Sequence, residues 1–441
     1  MLNNNIFINH ICDDQVDRSI INLSNIYNRI YQIANIIYNQ LCLAKFNFSC
    51  IYNSTILIKP NWVHHNIKKN DSLCLTTHPN FILAILNIIL ENKPKEVIIA
   101  DAPIQGCIWD KLLPKEFYEY IQNKEKETGI PIKILDLRRK EFHGNKLIDN
   151  KRDISNYIFF DLKDKSYLEP ITTVENKFRV TDYNPERLAE SHSKGKHKYC
   201  IAKEVFEADY IIALPKAKTH QKTGITNAIK LLVGFNGDKD FLPHHRIGGT
   251  GFGGDCYPGK NYILRLSEYF LDQANKRIGE RGYKEYKLLS KFLWKSIKKG
   301  DEYNLAAAWY GNDTTWRMAM DLNLIAKYGT INGTLEDKPQ RSITYICDGI
   351  IGGQGDGPLH PDPLPLGVIM LSDNPAEMDY ALALLMSFNP EKLPLIKNAL
   401  ELFPPNETII LDGKEVCWNT LKDFSIKTLA PPGWRGYIEK K

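Results

Sequence analysis

From residue 54 onward the chain is punctuated by short apolar runs that stop abruptly at a polar or turn residue. "STILIKPN" halts at Pro60, "KEVIIADAP" at Asp101 and Pro103, and "IPIKILDLRR" just past Asp136. Between the first two lies "PNFILAILNIILENK", a helical run with proline in its first turn. Strand, helix, strand at this spacing is the mark of a βαβ unit and hence of a parallel sheet. "NYIFFDLKD" reads as a further edge strand.

The pattern restarts near residue 197, where "EADYIIALP" is a fully apolar strand and "GITNAIKLLVGF" reads as the helix after it. Residues 260–332 change character, being long, amphipathic and almost strandless. Strand, turn and helix resume with "SITYICDGIIGG" and "LGVIMLSDNPAEMDYALALLMSF". The expectation is an α/β protein of two lobes built on mainly parallel sheets flanked by helices. Its parts would be an N-terminal helical segment (1–50), a first lobe (51–195), a second lobe (196–259 and 333–441) and a helical insertion (260–332).

Composition narrows the function classes. With 57 basic and 52 acidic residues the net charge is only +5, and no dense Lys/Arg block accompanies it, so neither nucleic acid nor a membrane is an expected partner. Nine dispersed cysteines without a C-x-x-C pair fit a reducing cytoplasm and argue against an iron–sulfur cluster. The opening "MLNNNIFINHICDDQ" has no basic segment and is not expected to act as a signal peptide.

In open parallel sheets the ligand crevice lies beyond the carboxyl ends of the strands. Here those ends carry Lys59, Asn61, Asp101, Asp136, Asp348 and Asp373. The densest group is "PKAKTHQKTGITNAIKLLVG" (215–234), with Lys216, Lys218, His220 and Lys222 at alternate positions, sharing one face if extended. A helix capped by Thr223 or Thr226 would follow, its free N–H groups favouring an anion, with Asn227 and Lys230 on the same face as Thr226. Two Gly-rich stretches add candidates: "DFLPHHRIGGTGFGGD" supplies His244 and His245, and "CDGIIGGQGDGPLHPDP" has Gly353 and Gly355 placed to wrap an anion with backbone amides. His244 and His245 with Asp101 are the candidate ligands of a divalent metal. "AWYGNDTTWRMAMDLN" offers an aromatic wall and an Asp313–Arg317 pair, and the closing "GWRGY" a cap over the cleft.

These segments resemble the domain of unknown function 362 family. The matching blocks are "IKPNWV" (58–63), "TTHPNFILAIL" (76–86), "EADYIIALPKAKTHQKTGITNAIKLLVG" (207–234), "WYGNDTTWRMAMDLN" (309–323), "CDGIIGGQGDGPLHPDPLPLGVIMLSDNPAEMD" (347–379) and "GWRGY" (433–437). Some relatives carry a ferredoxin-like segment, which has no counterpart here. A weaker similarity links His220, Gly224 and Lys230 to the lactate racemase family that uses a nickel-pincer nucleotide. It implies Lys230 as cofactor anchor, His220 as acid/base and His244 or His245 as nickel ligand. This chain departs from that pattern in having Thr226, Asn227 and Ala228 where the racemases have small glycines.

The functional expectation is an enzyme that binds a small carboxylate or phosphate, or a phosphorylated, nucleotide-type cofactor, in an interlobe cleft. Lys59, Asn61, Lys216, Lys218, Thr223 and Asn227 would position the anion. His220, Lys230 and Asp348 would carry proton transfer of the racemase or lyase kind. The alternative is a non-catalytic anion- or cofactor-binding or maturation protein.

Overall fold

The computed structural model describes residues 5–11, 18–68, 70–143, 146–149, 151–174, 177–297 and 306–439. Cys12 and residues 298–305 of the helical insertion lie outside them. Nine strands form the spine of one large sheet, in the spatial order Lys414–Cys417, Thr408–Leu411, Phe7–His10, Val368–Ser372, Ile343–Asp356, Tyr210–Leu214, Thr55–Pro60, Glu96–Asp101 and Ile132–Asp136. The last five run parallel. Val368–Ser372 is antiparallel to both of its neighbours. The fold is α/β, with a mainly parallel mixed sheet flanked by helices.

The apolar runs are explained by burial on both faces. In Thr55–Pro60, Ile56 and Ile58 belong to one core cluster and Leu57 to the other; Ile211 and Ala213 alternate in the same way with Ile212 and Leu214. The helix Pro79–Glu91 packs its buried face, including Phe81, Ile85 and Ile89, into the cluster that holds Ile56 and Ile58.

The segments expected as two lobes contribute adjacent strands to this sheet, since Tyr210–Leu214 pairs with Thr55–Pro60 on one side and Ile343–Asp356 on the other. Chain order reverses there: the connections from Thr55–Pro60 run outward through Glu96–Asp101, whereas those from Tyr210–Leu214 run the other way. That is the topological switch point at which open α/β sheets bind ligands.

Three expectations need correction. The N-terminal segment is two helices, Ile20–Tyr27 and Ile30–Leu43, preceded by a strand of the main sheet. Tyr157–Asp161 is an edge strand, but of a separate three-stranded sheet. The expected helix over "GITNAIKLLVGF" is a strand, Gly224–Thr226, then a single α-turn, Ala228–Leu231, and a 3-10 turn. Helices Tyr262–Asn275, Tyr283–Ile297 and Thr315–Tyr328 make up the described insertion, the last reaching the main core through Met318, Leu322 and Ile325. Among the described residues no helix is long and apolar enough to cross a membrane.

Candidate functional site

The lysine strand Lys216–His220 follows directly on Tyr210–Leu214 and pairs with Ile343–Asp356 through Lys216 opposite Asp348 and Lys218 opposite Gly353. It turns back at Gly224, whose φ of +78° suits glycine, so that Thr226 faces Lys218. A register shift falls between Lys216 and Lys218. Such a bulge re-aims side chains, and here it separates the run. Lys216 Nζ is fully buried, 2.8 Å from Asp348 and 3.0 Å from the Tyr27 hydroxyl. Lys218, His220 and Lys222 instead line a cavity of about 470 Å³.

That cavity opens at the carboxyl ends of Thr55–Pro60 and Glu96–Asp101, where Asn61, Trp62 and Asp101 form part of its wall. Lys230 and Lys239 line it as well, together with Thr226 and His244. Five lysines thus face one space; Lys287 is paired with Asp182, and the other four are Lys218, Lys222, Lys230 and Lys239. Among the described residues none of the four is ion-paired: Lys218 Nζ donates to the Leu75 carbonyl at 2.5 Å, Lys222 to Thr181 Oγ1 at 3.4 Å and Lys239 to the Asn236 carbonyl at 3.1 Å. Lys230 Nζ has no hydrogen bond. The nearby carboxylates are engaged elsewhere, Asp101 with Lys59 at 2.8 Å and Asp182 with Lys287 at 2.8 Å. Asp101 also accepts from the Trp62 and Ala102 backbone N–H groups.

Burial in this setting disfavours the charged form of each amine. It lowers Lys218 and Lys230 to about 7, and Lys222 and Lys239 to about 8. Neighbouring lysines add to the effect at Lys230. Burial also drives His220 and His244 well below the usual imidazole value. His220 Nδ1 accepts from the Lys222 N–H at 3.0 Å, so the neutral ring carries its proton on Nε2 and is a donor. His244 is the opposite tautomer, its Nδ1 donating to the Leu242 carbonyl at 2.7 Å and Nε2 left as an acceptor. The groups that titrate near neutrality are therefore the lysines, and His220, expected as acid/base, stays a neutral donor.

Several expected site residues serve the frame. Asp348 accepts from Lys216, from the Tyr27 hydroxyl at 2.6 Å and from the His78 N–H at 2.9 Å, away from the cavity. Thr223 Oγ1 donates to the Ile225 carbonyl, and Asn227 Nδ2 to that of Met378. Neither Thr223 nor Thr226 caps a helix. The first N–H groups of Ala228–Leu231 point at Asp379 Oδ1 and Oδ2, 2.8 and 3.4 Å away, so the acceptor at this terminus is the chain's own Asp379, whose pKa burial raises to about 8. Gly353 and Gly355 do not line the cavity. A Cβ on Gly353 would lie 2.8 Å from Pro361 Cβ and 2.9 Å from Lys218 Cβ, so glycine lets the hairpin 343–364 pack against the lysine strand. Its turn supplies Pro358 and Leu359 to the cavity wall.

The aromatic segment and the closing motif act from behind. Asn312 Nδ2 and Thr315 Oγ1 hold the His244 carbonyl at 2.9 and 2.7 Å, and Arg317 pairs with Asp313 at 3.2 Å. Trp434 Nε1 donates to the Gln221 carbonyl at 2.7 Å, bracing the turn of the lysine hairpin. Among the described residues no group of three or more His, Cys, Asp or Glu side chains is arranged to hold a metal ion. His245 lies outside the cavity, Asp101 is committed to Lys59, and four ammonium groups repel a cation. A side-chain metal site does not fit here, whereas a phosphorylated group suits the same lysines. Lys239 and Trp62 were not expected site residues, and Thr226 was expected there only as a helix cap. Lys239 arrives on a 3-10 turn, Lys239–Phe241, with no periodicity to mark it.

Comparison with known proteins covers three of the six motif blocks, 207–234, 309–323 and 347–379. A family model described as Domain of unknown function (DUF362) matches residues 165–383. No curated protein matches the chain. A crystal structure of a Thermotoga maritima protein aligns at 10% identity and a TM-score of 0.32, covering 85% of this chain and 58% of that one.

Proposed function

For this chain, whose residues 165–383 match the family model described as Domain of unknown function (DUF362), we propose that the switch-point cavity binds a small polyanion, a carboxylate or phosphate, and moves a proton on it. The observation that carries this is the set of four lysines around one cavity without a carboxylate partner among the described residues. Burying so much like charge is costly in the empty protein, and an anion is the ligand that offsets it. Lys218, Lys222 and Lys239 hold the charge, His220 donates from Nε2, and His244 Nε2 is the lone pair nearest in kind to a base. Amines near pKa 7 exchange protons at neutral pH, which supports isomerase- or lyase-type chemistry over simple carriage. Among the described residues no cysteine is in a disulfide, in keeping with a reducing, cytoplasmic setting.

The test is deuterium incorporation, followed by NMR, into 2-hydroxy and 2-oxo carboxylates and sugar phosphates incubated with the protein in heavy water. Exchange that disappears in Lys230→Met and is weakened in His244→Gln supports the enzyme. Saturable binding with no exchange across the panel leaves the anion-carrier alternative.

A further inference from the structure

The four cavity lysines differ in what already holds them. Lys218, Lys222 and Lys239 each donate to a protein oxygen, while Lys230 Nζ has neither a hydrogen bond nor an ion pair among the described residues. Its backbone, by contrast, is firmly mounted. The turn Ala228–Leu231 is tied to Asp379 at its start, and Asn323 Nδ2 holds the Ile229 carbonyl at 2.8 Å. Leu231, Val233 and Leu242 supply apolar wall to the same cavity. Thr226 Oγ1, four residues before Lys230, is buried, lines the cavity and has no hydrogen-bond partner among the described residues. An amine held at its base and free at its tip, beside an unsatisfied hydroxyl and three other ammonium groups, is placed to react rather than to support.

We propose that Lys230 is a covalent nucleophile that condenses with the carbonyl carbon of a small anionic aldehyde or ketone, an oxo-acid or a phosphorylated carbonyl compound. This rests on the anion-binding reading above and names the substrate class within it. The neutral amine adds to the carbonyl carbon, forming a C–N bond as the C=O π bond breaks, and its proton passes to the new hydroxyl. Loss of that hydroxyl as water leaves an imine, so amine plus carbonyl gives imine plus water with no oxidant or reductant. Burial keeps about half of Lys230 as neutral amine near pH 7, the fraction this step needs. Lys218, Lys222 and Lys239 hold the carboxylate or phosphate meanwhile. A protonated imine draws electrons from the adjacent C–H bond, the position at which an isomerase or lyase removes a proton.

The experiment is trapping with sodium cyanoborohydride of the full chain incubated separately with glyoxylate and with pyridoxal 5′-phosphate, read by intact mass and peptide mapping. The expected result is one adduct per chain on Lys230 with at least one probe, suppressed by excess sulfate. Lys230→Arg and Lys230→Met, checked for folding by thermal melting, should give about tenfold less adduct. Adducts spread over surface lysines and unchanged in both variants overturn the proposal. A chain that binds sulfate but traps neither probe also overturns it, leaving the anion site standing. Trapping on Lys230 without any sulfate binding or protection removes the anion site instead.

Discussion

Lys216 and Lys218 stand two residues apart on one strand, yet Lys216 Nζ ends 2.8 Å from Asp348 in the core while Lys218 Nζ ends at the Leu75 carbonyl in the cavity wall. One register shift separates a cation buried in the core from one that lines the cavity. Lys216→Met leaves Asp348 buried without its counter-ion and should cost about 3–5 kcal/mol. Lys218→Met removes a charge that has no counter-ion and should leave stability equal or higher, while weakening anion binding. Urea midpoints of the two variants check this opposite pair of outcomes.

The cavity lysines make stability depend on pH in a definite direction. Lys218 and Lys230 fall from an ordinary 10.5 to about 7 on folding, so between those values the unfolded chain binds more protons. Their destabilising contribution is therefore complete below pH 7 and is relieved as pH rises towards 10.5. A Lys218→Met/Lys230→Met variant should be more stable than wild type by about 1–4 kcal/mol at pH 6.5, with the gap closing by pH 10. Paired denaturation curves at the two pH values measure it.

Asp379 anchors the turn that carries Lys230. Asp379→Ala leaves two buried N–H groups unpaired, at a cost of about 1–3 kcal/mol. Asp379→Asn keeps an acceptor and should recover most of the loss. Amide exchange at Ala228 and Ile229 should speed up in the alanine variant and much less in the asparagine one.

Gly234 faces the Lys59–Asp101 pair so closely that a Cβ there would collide with Asp101 Oδ1 and lie 2.6 Å from Lys59 Nζ. Gly234→Ala should prise that buried pair apart, costing about 1–3 kcal/mol, and distort the cavity wall at Asp101. A fall in melting temperature together with weaker sulfate binding is the expected pairing.

Much of this architecture is legible in the sequence because the central strands are buried on both faces and so read as unbroken apolar runs, as in "TILI" and "YIIAL". The switch-point site is partly legible: Asn61, Asp101, Lys218, His220, Lys230 and His244 all line the cavity. What sequence periodicity misses is tertiary. A strict alternation puts Lys216 with Lys218, but the bulge divides them. "GITNAIKLLVGF" has helical spacing, yet its first residues pair with the lysine strand as Gly224–Thr226. The glycines at 353 and 355 look like an anion loop, whereas Gly353 makes room for Lys218. His220 has the usual imidazole pKa on paper, and only its burial among lysines removes it from acid/base work.

Calorimetric titration with sulfate reads out the lysine-lined cavity as an anion site, because sulfate keeps its charge across the pH range. An anion stabilises the ammonium form and raises the lowered lysines, so binding must take up protons and weaken above pH 7. The expected results are saturable binding at pH 7, proton uptake seen as a buffer-dependent enthalpy, affinity lower by about tenfold or more at pH 9, and loss of binding in Lys218→Met/Lys230→Met. Sulfate binding that is absent at pH 7, or unchanged by pH and by that double substitution, would contradict the anion site.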